Sequence, residues 1–312
     1  MSILVDTVIM SEYSDTWSHK KFIMDVSNHI ELILRQALVD ITNAPCPAKL
    51  AAALNYAVFP GGARVRPKLV MAVAQACADA ASPLAHASAV SIEFLHCASL
   101  VQDDLACFDD ASTRRGKPAL HLAFDERLAI LASDALIVAA FEHISLSGDA
   151  DAEAQLALVR MLSHQVGSIH GITAGQAWEC EDHIDTDAYH RAKTGALFAA
   201  ATQAGALSAG VDDKPWAITG HFVGSAYQIA DDIHDVVGDA AKMGKPVQVD
   251  AIHGRPNAVH ELGVDTAVAK LKHMVEQVID SVPHCKNADL FIETIRHEAQ
   301  RFLPKELALS AA

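Results

Sequence analysis

Two acidic clusters and a scattering of basic residues carry the chemistry legible in this chain. The first cluster, in SLVQDDLACFDDASTRRGKP, sets Asp103/Asp104 and Asp109/Asp110 at the end of an apolar run, then reaches Arg114, Arg115 and Lys117 within a few residues. Adjacent like charges repel, so concentrating them beside opposite charge points to something charged held between them. The second, YQIADDIHDVVGD, puts Asp231 and Asp235 one helical turn apart on a shared face, with Asp232 beside them and Gln228 three residues before Asp231. Hard divalent cations such as Mg²⁺ take oxygen ligands, through one or two carboxylates with the other positions left to water and substrate phosphate. Two such faces on two helices would hold a small group of Mg²⁺ ions with a diphosphate between them. Arg64, Arg66, Arg114, Arg115, Lys193 and Lys245 would supply the remaining positive charge. Taken alone, either cluster reads as a solvated helix face and RRGKP as a surface turn. That plain reading leaves unexplained two acidic faces, each followed by a basic segment, in a chain short of positive charge. On an ideal helix at ~100° per residue, Asp110 aligns with Asp103 and Asp109 falls about 120° away. The turn and cap residues of DDASTRRGKP equally let the chain leave the helix before that point.

These residues must be positioned by a chain of 312 residues, 51% apolar, with 24 Lys plus Arg against 39 Asp plus Glu and a formal charge of −15. That balance argues against a nucleic-acid backbone or an anionic membrane surface as the main partner. An anionic ligand would need metal cations and a local basic cluster to overcome the field of the whole protein. Cys46, Cys77, Cys97, Cys107, Cys180 and Cys285 form no C-x-x-C pair, so neither a zinc site nor a disulfide framework is indicated, and reduced thiols in a cytoplasmic protein are expected. The start MSILVDTVIMSEYSD lacks a basic flank and carries Asp6, unlike a signal peptide. The longest apolar tract, LAILASDALIVAAF, is interrupted by Asp134 and too short to span a bilayer, so it is expected to be a buried helix and no transmembrane segment is expected.

Apolar positions recur at three and four residues almost throughout, with little of the alternation that signals strands. PAKLAAALNYAVF, LVMAVAQACADAA, HASAVSIEFLHCASLVQDD, AQLALVRMLSHQVGSI, HRAKTGALFAAATQAGALSAG, WAITGHFVGSAYQIADDIHDVV and VDTAVAKLKHMVEQVIDSV each predict a helix, and Gly and Pro punctuate between them. Several are apolar nearly all round, as expected of helices enclosed by others. The expectation is all-α: one domain over residues 1–312, a helical bundle around a central cavity, with the first ~25 residues a loosely ordered extension.

The ordered set GGARVRP, HCASLVQDDLACFDDASTRRGKP, GQAWE, YHRAKTGALF, YQIADDIHDVVGD and MGKP resembles the motif series of the trans-isoprenyl diphosphate synthases, the polyprenyl synthetase family, from about Ala44 through RPNAV and beyond. HCASLVQDD, YHRAKTGALF and IHGRPNAV are similar to the bacterial geranylgeranyl diphosphate synthases of carotenoid pathways. The resemblance implies condensation of an allylic diphosphate with isopentenyl diphosphate and release of pyrophosphate. It implies that Asp103 and Asp109 bind two Mg²⁺ ions and Asp231 a third, so the family selects Asp109 where ideal-helix geometry selects Asp110. Arg114, Lys193, Thr194, Gln228 and Lys245 would meet the allylic diphosphate, and Arg66, His96 and Arg115 the isopentenyl diphosphate. The family usually reads G-G-K-R in its first basic motif. Here the lysine position is Ala63, so one phosphate ligand is missing: either isopentenyl diphosphate binds more weakly or Arg64 reaches across. A homodimer is implied by the likeness alone.

In such a reaction the growing chain would run down the helix before Asp103, at about one helical turn, ~5.4 Å, per isoprene unit. Ala98, five residues before Asp103, stands where a bulky aromatic would stop the product at fifteen carbons, and Phe94 and Leu95 lie one turn further up. Twenty carbons are therefore expected, with a farnesyl diphosphate synthase as the runner-up. A class I terpene cyclase would not need Arg66, His96 and Arg115. A non-catalytic partner subunit of a related synthase would be expected to lose one acidic cluster, and both are intact.

Overall fold

The computed structural model describes residues 26–78, 80–148, 151–237 and 258–302. The predicted N-terminal extension and Lys245 lie outside them. Helix α1 spans 26–42, followed by α2 (Ala48–Val58), α3 (Val65–Cys77) and α4 (Pro83–Asp103). A two-stranded hairpin, β1 (Thr113–Arg114) and β2 (Lys117–Pro118), leads to α5 (Leu120–Ala123), α6 (Glu126–Ser145), α7 (Ala152–Val166) and α8 (Ile172–Ala177). After α9 (Thr186–His190) comes a π-helical turn, Arg191–Gly195, then α10 (Ala196–Ser208) and α11 (Lys214–Val237). The last described elements are α12 (Ala258–Leu262), α13 (Val264–Asp280) and α14 (Ala288–Phe302).

The all-α expectation holds, with α4 and α10 at the centre. α4 packs on α3, α6 and α10, while α10 packs on α3, α4, α7 and α11. Small residues make this possible: Ala199, Ala200, Ala201, Ala204 and Gly205 of α10 are buried or enclosed. A Cβ added to Gly205 would stand 2.6 Å from the Val70 carbonyl oxygen and 2.7 Å from Val73 Cβ, so α3 approaches α10 at backbone contact. A second apolar cluster joins Ala226, Ile229, Ala230 and Ile233 of α11 to Ala267 and Leu271 of α13. A cavity of about 30 Å³ between α3, α11, α13 and α14 is lined by Val65, Leu69, Val223, Tyr227, Leu271 and Val278.

Helix ends follow local chemistry. Ser82 caps α4, its Oγ accepting from Ala85 N at 3.2 Å, with Pro83 opening the helix. Asp125 caps α6 by accepting from Leu128 N at 2.8 Å. α3 begins four residues before the predicted LVMAVAQACADAA segment, because Pro67 is tolerated in a first turn where its missing N–H has no helical partner.

The expectation that α6 is a buried helix holds for its inner face, Ala129, Ala132, Leu136, Ala140 and Ile144, and not for its outer one. Ile130, Leu131 and Val138 are exposed on its outer face, since no other described element covers that side. At 20 residues α6 is also longer than its apolar tract, and by length and composition α4 and α6 are both long and apolar enough to cross a membrane. Most of the apolar stretch of α4 is instead buried inside the bundle, and α6 lies with its inner face against it.

Candidate active site

The first acidic cluster forms because α4 stops at Asp103. Asp104 takes the C-cap position, and the following turn brings Asp109 back so that its N–H donates to the Asp103 carbonyl at 2.9 Å. Asp110, with φ of 46°, is exposed and turned toward His121, whose Nε2 is 4.0 Å from its carboxylate. The backbone path, not the helical angle, thus leaves Asp109 beside Asp103. Burial pushes the Asp103 carboxyl up, Lys193 opposes that, and the charge of Asp109 adds to it.

Asp104 is buried and receives the Arg114 guanidinium, Nε at 2.9 Å from Oδ1 with Nη2 on the same oxygen. Burial pushes the Asp104 carboxyl up against the pull of Arg114. Arg114, expected to face a substrate phosphate, is therefore engaged by an acid. The sequence marks Asp104 only as half of the Asp103/Asp104 pair and gives it no role of its own; its adjacency to Asp103 concealed that successive residues at a helix end point different ways.

On the opposite side, the π turn presents Lys193 and Thr194 together. Lys193 Nζ contacts Glu179 and lies 3.4 Å from Asp103 Oδ1. Glu179, from the GQAWE segment, also accepts from Tyr189 OH at 2.7 Å. Thr194 Oγ1 donates to Gln228 Oε1 at 2.7 Å, and Gln228 Nε2 donates to the buried Asp232 at 2.9 Å. Asp231 lies on the same helix; the side chain of Asp235 is outside the described set. Glycines allow this convergence. A Cβ at Gly175 would stand 2.8 Å from the Ala192 carbonyl carbon, and one at Gly224 2.9 Å from Gly195 Cα. The end of α4, the π turn and α11 are thereby joined through Lys193 and Thr194.

The basic residues sort themselves. Arg64 does not reach toward any ligand: its Nε meets Glu31 at 2.7 Å, Nη1 meets Glu93 at 2.6 Å and Nη2 donates to the Val58 carbonyl at 2.7 Å. Burial opposes its charge, but Glu93 and Glu31 more than offset that and raise its pKa. Arg64 is an internal strut, and the expectation that it substitutes for the absent lysine is corrected. Arg66 is buried with its guanidinium carbon 4.3 Å from the Phe198 ring centroid, Nη1 3.3 Å from His96 Nε2, and a buried Nε without a hydrogen-bond partner among the described residues. Burial lowers the Arg66 pKa and drives that of His96 well below its usual range, with Arg66 and Arg115 adding to the effect on His96. Arginine only donates, so neutral His96 accepts at Nε2 and carries its proton on Nδ1. Arg115 Nη1 donates to the Gly61 carbonyl. Phe94, Leu95 and Ala98 are buried in α4, and Ser133 Oγ donates to the Ala98 carbonyl at 3.3 Å.

Among the described residues no three His, Cys, Asp or Glu side chains converge as a self-sufficient metal site. The donors at the end of α4 are oxygen-only, which suits a hard cation completed by water and phosphate oxygens and not a thiolate-bound metal.

An all-helical bundle thus brings the carboxylates ending α4, through Lys193, and the Gln228/Asp232 face of α11, through Thr194, to one π-helical turn. Residues 47–290 match the polyprenyl synthetase family, and the chain belongs to it. It is 47% identical to the geranylgeranyl diphosphate synthase of Cereibacter sphaeroides over 285 residues, covering 91% of this chain and 99% of that protein. It is 44% identical to the geranylgeranyl diphosphate synthase of Rhodobacter capsulatus over 280 residues, covering 90% and 97%. Farnesyl diphosphate synthases match at lower identity. The structure superposes on a Helicobacter pylori geranyltransferase, complexed with magnesium and isoprenyl diphosphate, with a TM-score of 0.74 at 26% identity, covering 88% of this chain and 97% of that one.

The half-buried His96, beside Arg66, has a consequence for stability. Its folded pKa lies below 6.5, so the unfolded chain takes up the proton first. The stability that neutral His96 confers is fully present above pH 6.5 and is lost as pH falls from there toward the folded value. Thermal melts should show destabilisation below pH 6.5 of up to about 1.4 kcal/mol per pH unit from this group, and His96→Gln should reduce that slope.

Proposed function

We propose that this protein condenses isopentenyl diphosphate with an allylic diphosphate, farnesyl diphosphate or a shorter starter, to give geranylgeranyl diphosphate and pyrophosphate. The observation that carries this reading is the junction at Lys193 and Thr194, where the carboxylates ending α4 meet the Gln228/Asp232 face of α11. The strong likeness to geranylgeranyl diphosphate synthases favours twenty carbons over fifteen.

In this reading Asp103, Asp109 and Asp231 hold Mg²⁺, three ions once diphosphate is bound, and Lys193, Thr194, Gln228, Arg114 and Lys245 bind the allylic diphosphate. Mg²⁺ bound there supplies the positive charge that makes the diphosphate a leaving group. Lys193, steadied by Glu179, adds a cation at the same place. Arg66, His96 and Arg115 hold the isopentenyl diphosphate so that its double bond faces the allylic carbon. The apolar wall of α4, including Ala98, keeps water from the allylic cation. The allylic C–O bond breaks first, the double bond of isopentenyl diphosphate then attacks the cation to form the carbon–carbon bond, and the proton lost from the new chain leaves with pyrophosphate. No side-chain nucleophile is needed.

We further infer a cytoplasmic homodimer, consistent with six free cysteines and with the exposed Ile130, Leu131 and Val138 on α6 as the shared surface. Light scattering during gel filtration should give twice the chain mass, and a monomer would reject it.

Product analysis by mass spectrometry with farnesyl and isopentenyl diphosphates tests the reaction. A twenty-carbon product that disappears in EDTA is expected; no product from any allylic starter would overturn the reading. Asp103→Ala should remove several kcal/mol of charge stabilisation, on the order of 10³-fold in kcat, and near-normal turnover would refute the metal assignment. Ala98→Tyr should move the main product to fifteen carbons, and an unchanged product would refute the assignment of Ala98 as the floor.

A further inference from the structure

The cations around the site fall into two groups. Arg64 is neutralised by Glu31 and Glu93, Arg114 by Asp104, and Lys193 by Glu179 and Asp103. Arg66, Arg115 and Lys117 have no carboxylate within salt-bridge distance among the described residues, and they hydrogen-bond to neutral groups: His96, the Gly61 carbonyl and the Phe59 carbonyl. In a chain of net charge −15, acids are abundant, so leaving three neighbouring cations without one is a built feature.

The hairpin is what brings them together. Arg114 pairs with Lys117, and the two intervening residues, Arg115 and Gly116, both have positive φ, 52° and 76°, as a two-residue type I′ connection requires. This folds the hairpin back on the loop after α2. Tyr56 OH donates to the Pro118 carbonyl at 2.8 Å, Lys117 Nζ donates to the Phe59 carbonyl at 3.3 Å, and Arg115 lies over Gly62. A Cβ at Gly62, where φ is 133°, would stand 2.5 Å from Arg115 Cζ, so the bare loop is needed to seat that guanidinium. The loop contributes no cation of its own at position 63, where Ala63 is half-buried against the core.

We propose that Lys117 is a third cation of the diphosphate subsite formed by Arg66, His96 and Arg115, and that it binds isopentenyl diphosphate. This rests on the assignment of those three residues to that substrate. Lys117 is exposed and spends one donor on a carbonyl, leaving two of its three N–H groups for a phosphate oxygen. Phe59 and Gly61 are two residues apart, at most about 7 Å along the backbone, a gap that the flexible lysine stem covers by changing rotamer. In this arrangement the hairpin delivers two cations where the glycine loop delivers none.

The test uses the full chain. Lys117→Gln keeps a donor for the Phe59 carbonyl and removes the charge. We expect the KM for isopentenyl diphosphate to rise about tenfold with the KM for farnesyl diphosphate unchanged, Lys117→Arg to restore it, and Ala63→Lys to restore it in the Lys117→Gln background. An unchanged KM for isopentenyl diphosphate overturns the proposal. So does a parallel rise in both KM values with a lowered melting temperature, which would mean that Lys117 only docks the hairpin. Calorimetric titration with inorganic pyrophosphate in EDTA separates this from failure of the reaction itself. A wild-type chain that makes no product but loses pyrophosphate affinity on Lys117→Gln retains the anion subsite and rejects the reaction. Product formation with pyrophosphate affinity unaffected by the substitution retains the reaction and rejects the subsite.

Discussion

The ammonium of Lys193, lodged between Asp103 and Glu179, is the contact on which the site depends. It joins the end of the central helix α4 to the segment after α8, and its neighbour Thr194 extends the link through Gln228 to Asp232 on α11. Without a cation there, the carboxylates of Asp103, Asp109 and Glu179 would face one another in a partly buried place, which costs far more than in water. The charge that holds the folded site together is of the same sign as the charge that an anionic substrate seeks.

A second constraint is close backbone approach. Gly175 against Ala192, Gly224 against Gly195 and Gly205 against Val70 bring five helical segments nearer than ordinary side chains permit. The alanine-rich helices α4 and α10 serve the same end, so a dense centre is obtained with little bulk. That density fixes where Lys193, Thr194 and Gln228 stand, which is why side chains so far apart in sequence meet within hydrogen-bond distance.

Much of this was legible in the sequence. Eight helices and the two acidic clusters follow from apolar period and charge, because both are local patterns. The choice between Asp109 and Asp110 was not readable from the helical angle, since it depends on α4 ending at Asp103 and on a turn closed by Asp109 N–H. The fates of the arginines were hidden for a different reason. Arg64 and Arg66 are two residues apart with the same charge, yet one is consumed by Glu31 and Glu93 and the other is left to His96 and Phe198. Those partners come from remote segments, and only tertiary packing decides them. The outer face of α6 likewise carries apolar residues that the sequence places in a core and the chain leaves in the open.

The π-helical turn at Arg191–Gly195 has an implication for how the site is specified. A segment wound wider than an α-helix separates adjacent residues by less than the usual ~100°, so Lys193 and Thr194 can both address the same interior. One serves Asp103 and the other Gln228. The specificity of this junction therefore resides in backbone phase as much as in side-chain identity: the same five residues wound at the regular pitch would aim their functional groups at different neighbours.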